Sequence, residues 1–304
     1  MIKINDKQFL TEHFPDGTQC LTKFDFSVNN EGTFDIFWKY ANDEELISLI
    51  YIVNHIRNGY ASKDVKINLY MPYVPNARMD RVKKPTEIFT LKYFCDIINN
   101  LEFDKVTILD PHSDVSAGLL NRVKVADVNK VIKYPVYDEA AIANRWDKEL
   151  IIFFPDAGAY KRYKDLDCVK EFRKIYGNKV RDWNTGKILG LKIVDENGEK
   201  LPDDALKDKD ILMIDDIISY GGTLYYSALK INELGANRIV AYATHVEGDS
   251  LWDKDKGTFR KCLEDGSSDT SNKDAIVTLL YTTNSLYRFD SGNRVYVLNI
   301  ENLK

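Results

Sequence analysis

The chain has 304 residues, 44% hydrophobic and 29% charged, with a formal net charge of −5. That is an ordinary globular composition, long enough that two domains are expected rather than one core. The acidic balance speaks against a nucleic-acid partner, which would present a basic face, and no apolar run approaches the roughly 20 residues that span a bilayer.

The N-terminal stretch MIKINDKQFLTEHF lacks the apolar core of a secretory leader. The four cysteines, Cys20, Cys95, Cys168 and Cys262, are too scattered for a zinc or redox motif. Free thiols in a reducing cytoplasm are therefore expected.

In chain order, the first helix is capped by Asn42, with Glu45 three residues on. Leu46, Leu49, Ile50, Val53 and Ile56 keep helical spacing, and Gly59 ends it. Apolar strands follow at 66–70 and 105–109, separated by a helix over 86–99 with Ile88, Leu91, Phe94 and Ile98 on one side. Pro135 and its polar surroundings interrupt the pattern near 130–148, which suggests a boundary and a division into 1–137 and 138–304. Strands are then expected at 150–154, 211–214, 238–243, 275–281 and 294–298, with a helix over 223–234 that Gly235 closes. The stretch 247–272, rich in Asp, Gly, Ser and Lys, reads as an exposed excursion.

Alternation of nearly unbroken apolar strands with amphipathic helices defines an α/β protein with parallel sheets covered on both faces. Such sheets bind ligands beyond the C-terminal ends of their strands. The densest chemistry at such an end is DILMIDDIISYGGT, residues 210–223. Adjacent carboxylates Asp215 and Asp216 can hold sugar hydroxyls or a magnesium ion. Gly221, Gly222 and Thr223 let backbone N–H groups approach a phosphate at a helix N-terminus. One segment thus offers a site for both ends of a sugar phosphate.

That segment resembles the phosphoribosyl pyrophosphate signature of phosphoribosyltransferases and ribose-phosphate pyrophosphokinases. Further stretches are similar to the pyrophosphokinase branch: Phe14-Pro15-Asp16-Gly17, MPYVPNARMDR at 71–81, Asp110-Pro111-His112-Ser113-Asp114, Pro155-Asp156-Ala157-Gly158, and NKVR at 178–181. The resemblance implies two phosphoribosyltransferase-like domains, each a mainly parallel sheet flanked by helices, and leaves open that the last strand packs on the first domain. It implies that the C1 hydroxyl of a ribose attacks the β-phosphorus of ATP, so that diphosphate moves to the sugar and AMP leaves.

On the same resemblance, Arg78 and Arg81 grip the ATP phosphates, Phe14 and Asp16 contact adenine, and His112 and Asp156 meet magnesium. Lys179 and Arg181 form a transition-state clamp on a closing loop. Asp215 and Asp216 hold the ribose 2- and 3-hydroxyls, and Ser219, Tyr220, Gly221, Gly222 and Thr223 receive the 5-substituent. A homo-oligomer, dimeric or a hexamer of dimers, is implied as well. Plain structural readings stand beside these: Asp156 as a helix cap after Pro155, FPDG as a surface turn, and His245 as a structural histidine.

The chain departs from the family where the loop usually reads x-x-Asp-Thr-(Gly or Cys)-Gly-Thr, since Ser219 replaces an acid and Tyr220 a small hydroxyl residue. Thr18 and Met79 also replace residues of the adenine and ATP sites. Tyr220 adds an aromatic face where the family holds a terminal phosphate, and adenosine could stack there. ADP-ribose, as in viral relatives that rebuild nicotinamide dinucleotide, is slightly favoured over ribose 5-phosphate as acceptor. A phosphoribosyltransferase, for which Arg78, Arg81 and His112 would have no purpose, and a non-catalytic regulatory paralogue are the competing readings.

Overall fold

The structure is a computed structural model that describes residues 1–60, 64–181, 188–263, 276–292 and 294–301, with the side chains at 179–181 and 188–190 outside that description. Two compact units divide it, one over Met1–Asp127 and one over Val128–Asn302, and each buries its own apolar core. Among the described residues no helix is long and apolar enough to cross a membrane. The four cysteines are free.

The first unit begins with a hairpin, β1 (Ile2–Ile4) and β2 (Lys7–Phe9), and a second small one, β3 (Glu12–His13) and β4 (Gln19–Cys20). Then come β5 (Thr33–Trp38), α1 (Glu44–Gly59), β6 (Lys66–Tyr70), α2 (Thr90–Asn100), β7 (Lys105–Leu109), α3 (Asp114–Leu119) and β8 (Val123–Ala126). The main sheet runs β2-β1-β5-β6-β7-β8. Strands β5 to β8 are parallel, and the N-terminal hairpin extends them antiparallel.

Asn42 does accept the Glu45 N–H, at 3.2 Å. Glu45 folds back past it to take the Ala41 N–H at 2.8 Å and the Trp38 indole N–H at 3.0 Å. Helix α1 begins at Glu44 with Asp43 at its cap position, so Asn42 stands one residue before the cap, and Glu45 ties the helix start to β5 instead of closing a capping box with Asn42. Helix α2 starts at Thr90, later than its apolar spacing suggests, and Ile88 lies outside it, 64% exposed.

The second unit opens with α4 (Asn129–Arg145), which runs through Pro135 without a break. Val131, Ile132, Pro135, Val136, Glu139 and Ala143 are buried and recur at helical spacing. Its docking on the sheet outweighs the helix-breaking tendency of an internal proline. Glu139 pairs with Arg238 and accepts the Tyr281 hydroxyl at 3.0 Å, while Asp138 accepts the same hydroxyl at 2.5 Å.

Next follow β9 (Leu150–Phe154), α5 (Ala157–Tyr163), β10 (Arg173–Arg181), β11 (Ile188–Asp195), β12 (Asp210–Ile218), α6 (Gly222–Glu233), β13 (Arg238–Val246), α7 (Gly248–Leu251), α8 (Arg260–Leu263), β14 (Leu279–Thr283) and β15 (Val295–Leu298). The sheet order is β11-β10-β9-β12-β13-β14-β15. All neighbours are parallel except the β10–β11 hairpin. The last strand pairs with β14.

This order has a functional consequence. From β9 the chain passes through α5 to β10 on one side, whereas from β12 it passes through α6 to β13 on the other. The C-terminal ends of β9 and β12 therefore flank a topological switch point, where open α/β sheets form their ligand crevice. Asp156 follows β9, and Asp215 and Asp216 lie near the end of β12.

The described part of 247–272 is not an exposed excursion. Leu251, Phe259, Cys262 and Leu263 are at most 2% exposed and belong to the second core. The apolar residues are sparse and separated by polar turns, which hides them from a periodicity reading. Residues 264–272 of that stretch lie outside the described residues, as does Ala275 at the start of the strand expected over 275–281.

Candidate active site

The sequence-marked residues fall into two groups, one in each unit. In the first unit, residues 71–81 follow β6 and residues 110–114 follow β7. The Met71 N–H donates to Thr107 O at 2.9 Å and the Leu109 N–H to Pro72 O at 3.0 Å. Asp80, buried with 8% exposure, receives the Arg81 Nε–H at 2.9 Å. Burial raises the Asp80 carboxyl, but hydrogen bonding from Arg81 and the charges of Arg81 and His112 more than reverse this, holding it below the usual carboxylate range.

The structure thus brings Arg81 and His112 to one carboxylate inside the 71–81 motif. Arg78 is exposed. Asp110 is buried with φ of +43°, a left-handed conformation rare for a non-glycine residue and found disproportionately at functional turns.

Phe14 to Thr18 form the tip of the β3–β4 hairpin. The Phe14 N–H donates to Thr18 O and the Gly17 N–H to Phe14 O, both at 2.9 Å, with Gly17 at φ +86°. Asp16 accepts the Thr18 hydroxyl at 2.7 Å and its N–H at 2.9 Å, bonds that lower its carboxyl. The plain turn reading is correct for the local backbone, and the turn leaves the Phe14 ring 52% exposed.

In the second unit, Asp156 caps α5, its Oδ1 accepting the Gly158 and Ala159 N–H groups at 3.0 Å each. Helix α5 then presents Arg162, whose Nη1 lies 3.3 Å from Asp216 Oδ2. Asp216 is 5% exposed, while Asp215 is only partly covered. Successive side chains on a regular strand point to opposite faces, but Asp215 turns back to accept the Asp216 N–H at 2.9 Å, so the two carboxyls stay close while meeting different partners. Burial, then the charges of Asp216 and Asp156, push the Asp215 carboxyl well above its ordinary value. Three carboxylates thus share the switch-point crevice, one of them tied to a guanidinium.

Strand β12 runs past the acids to Ile218, because it stays paired with β13 as far as Val246. The loop then turns at Gly221, φ +74°, into α6. A Cβ on Gly221 would come within 2.3 Å of Phe259 Cβ, whereas one on Gly222 would meet nothing within 4 Å. The first needs glycine for fold and packing. The second leaves open backbone at the first residue of a 12-residue helix, where a phosphate can approach. Tyr220 is 40% exposed. Ser219 donates to Glu247 Oε2 at 2.6 Å.

Lys179 and Arg181 lie on β10, in the antiparallel ribbon with β11, and their side chains are outside the described residues. Upstream, Tyr176 of β10 stacks on Tyr160 of α5, with ring centroids 4.8 Å apart. Among the described residues no cluster of three or more His, Cys, Asp or Glu could hold a metal ion. His245 is buried, and its Nδ1 shares a hydrogen bond with Ser285 Oγ at 2.7 Å. Asp80, Arg162 and Glu247 are the additions that sequence reading missed. The first two sit in or just beyond marked motifs, and Glu247 has no local signal.

The fold is that of a phosphoribosylpyrophosphate synthetase. The chain superimposes on the crystal structure of that enzyme from Mycobacterium smegmatis with a TM-score of 0.71 and 19% identity, over 97% of this chain and 86% of the other. It is 24% identical to the ribose-phosphate pyrophosphokinase of Mycoplasma genitalium over 99% of this chain and 83% of that protein. It is 26% identical to that of Sulfurisphaera tokodaii over 76% of this chain and 74% of that protein. No family model matches the chain. The likenesses in sequence support the ribose-phosphate pyrophosphokinase family.

Proposed function

We propose that the protein transfers the β,γ-diphosphate of ATP to the C1 hydroxyl of a 5-phosphorylated ribose and releases AMP. The observation that carries this is the acid pair and glycine turn at the switch-point crevice, in a chain similar to ribose-phosphate pyrophosphokinases over most of its length. The sugar oxygen attacks the β-phosphorus, the bond from that phosphorus to the α-phosphate oxygen breaks, and the C1 hydroxyl proton is lost. Such a transfer asks the protein for alignment and fixed positive charge rather than covalent chemistry.

In this reading Asp215 and Asp216 hold the ribose diol, and residues 219–223 receive the 5-substituent. Arg78, Arg81, Phe14 and Asp16 serve ATP, and Lys179 and Arg181 cover the β-phosphate. Magnesium suits a site without a protein cage, since it keeps its waters and binds through one or two protein groups plus phosphate oxygens. His112 would meet one magnesium ion on the ATP side and Asp156 a second one bound to the sugar substrate, each ion neutralising phosphate charge.

ADP-ribose is slightly favoured as acceptor, giving ADP-ribose 1-diphosphate for nicotinamide dinucleotide resynthesis, with ribose 5-phosphate as the alternative. The exposed Tyr220 on the loop and Tyr226, 63% exposed one turn into α6, are aromatic surfaces that suit an adenosine. A homo-oligomer in a reducing cytoplasm completes the proposal. Purified protein given magnesium, ATP and each sugar separately decides the acceptor. AMP formed with ribose 5-phosphate and none with ADP-ribose would exclude the favoured choice, and no AMP with either would exclude the reaction.

A further inference from the structure

Segment 247–259 grips one side of the glycine loop. The Glu247 N–H donates to Ile218 O at 2.8 Å. Its Oε2 accepts the Ser219 hydroxyl at 2.6 Å and the Ser250 hydroxyl at 3.2 Å. Next along the loop, Tyr220 O accepts the Thr258 N–H at 2.8 Å and the Phe259 N–H at 3.0 Å, and Gly221 packs against Phe259. The grip ends there: space around the Gly222 backbone is open and Tyr220 is 40% exposed. The loop therefore has a bound side and a free side.

Ser219 opens the loop directly after β12 ends at Ile218. The Ser219 hydroxyl donates to Glu247, so Ser219 offers the 5-substituent its backbone rather than its hydroxyl proton. Glu247, reaching from the end of the neighbouring strand, supplies a carboxylate in contact with the serine.

We propose that Glu247 is a positioning residue for the sugar acceptor, acting through Ser219 to hold the start of the 219–223 loop so that the Gly222 backbone faces the 5-phosphate. The proposal rests on the functional reading above. Glu247 touches no reacting atom, so its loss should weaken acceptor capture and leave the ATP side alone. A hydrogen bond to a charged group is strong enough that its loss shifts binding by about tenfold.

The test uses E247A, S219A, the double variant and E247Q in the full-length chain. AMP formation is followed against acceptor and against ATP, and binding of ribose 5-phosphate and of ADP-ribose is measured by calorimetry without ATP. E247A is expected to raise the acceptor KM about tenfold with little change in kcat or in the ATP KM. S219A, which breaks the same bond without touching β13, should do the same, and the double variant should be no worse than either single one. E247Q keeps an acceptor oxygen and should recover most of the loss. Unchanged acceptor binding in both E247A and S219A overturns the proposal, as does a double variant whose defect is the product of the two. Absence of AMP from the wild type would refute the diphosphate-transfer reading instead, and the calorimetry would still decide the role of Glu247.

Discussion

Arg162 on α5 reaches Asp216 on β12, Nη1 to Oδ2 at 3.3 Å, and so assigns different conditions to two acids adjacent in sequence. Asp216 is a buried anion with a fixed counter-charge. Asp215 faces Asp156 and Asp216 and is pushed toward its protonated form. Removing one member of a buried pair leaves an uncompensated charge, which costs about 3–5 kcal/mol when burial is full. Arg162 retains 28% side-chain exposure, so R162A should cost about 2–3 kcal/mol in urea unfolding. Adding D216N to R162A should recover part of the loss, because the orphaned charge is gone. Equal stability of wild type and R162A would remove the ion pair from the account of this site.

The two loop glycines should behave differently. G221A places a Cβ in a left-handed backbone and against Phe259, and should cost about 2 kcal/mol or more. G222A meets open space and should unfold like the wild type, yet weaken acceptor binding by narrowing the approach to the helix N-terminus. Thermal unfolding alongside sugar binding separates the two. A G222A protein that binds sugar normally would place the phosphate elsewhere.

The raised Asp215 carboxyl makes a signed prediction about pH. In the unfolded chain an aspartate titrates near ~3.9. The folded group binds its proton more tightly, so its contribution is fully present below about pH 4 and is lost as pH rises through the raised value. D215N removes that loss. In magnesium-free buffer the stability of D215N relative to wild type should therefore grow as pH rises from about 4 toward 8. A difference that stays constant or shrinks over that range would contradict the direction assigned to Asp215.

Lys179 is assigned to the charge that develops during transfer. K179A should lower kcat by about 100-fold, the scale of losing one electrostatic stabiliser, with a modest effect on ATP affinity. Single-turnover rates and nucleotide binding, measured separately, check this. Unchanged turnover would end its role as a clamp.

Strands β6, β7 and β9 coincide with their sequence expectations to the residue; β7 and β9 are short apolar runs bounded directly by polar or proline positions. Helix α4 was hidden by Pro135, whose local penalty is overcome only by burial against the sheet. The β10–β11 ribbon was hidden because its residues mix charge and apolarity without strict alternation. At the site, Asp215, Asp216, Gly221 and Gly222 were legible because their geometry is local: an acid pair, a left-handed turn and a helix start in one segment. Arg162 and Glu247 were not, since each acts on a residue that only the sheet brings near. Periodicity and motif spacing describe neighbours along the chain, and these contacts are made across strands.

The packing of Phe259 against Gly221 bears on when the protein becomes competent during its own synthesis. Domains form as their segments leave the ribosome, and the acid pair and both glycines emerge well before Phe259. A nascent chain released between them would carry every loop residue of the signature, but not the backbone donors of Thr258 and Phe259 that anchor Tyr220. The motif is contiguous in the gene, whereas the shape it needs is a late, non-local event of folding. A chain that stops short of Phe259 should therefore carry the whole signature without the anchored loop.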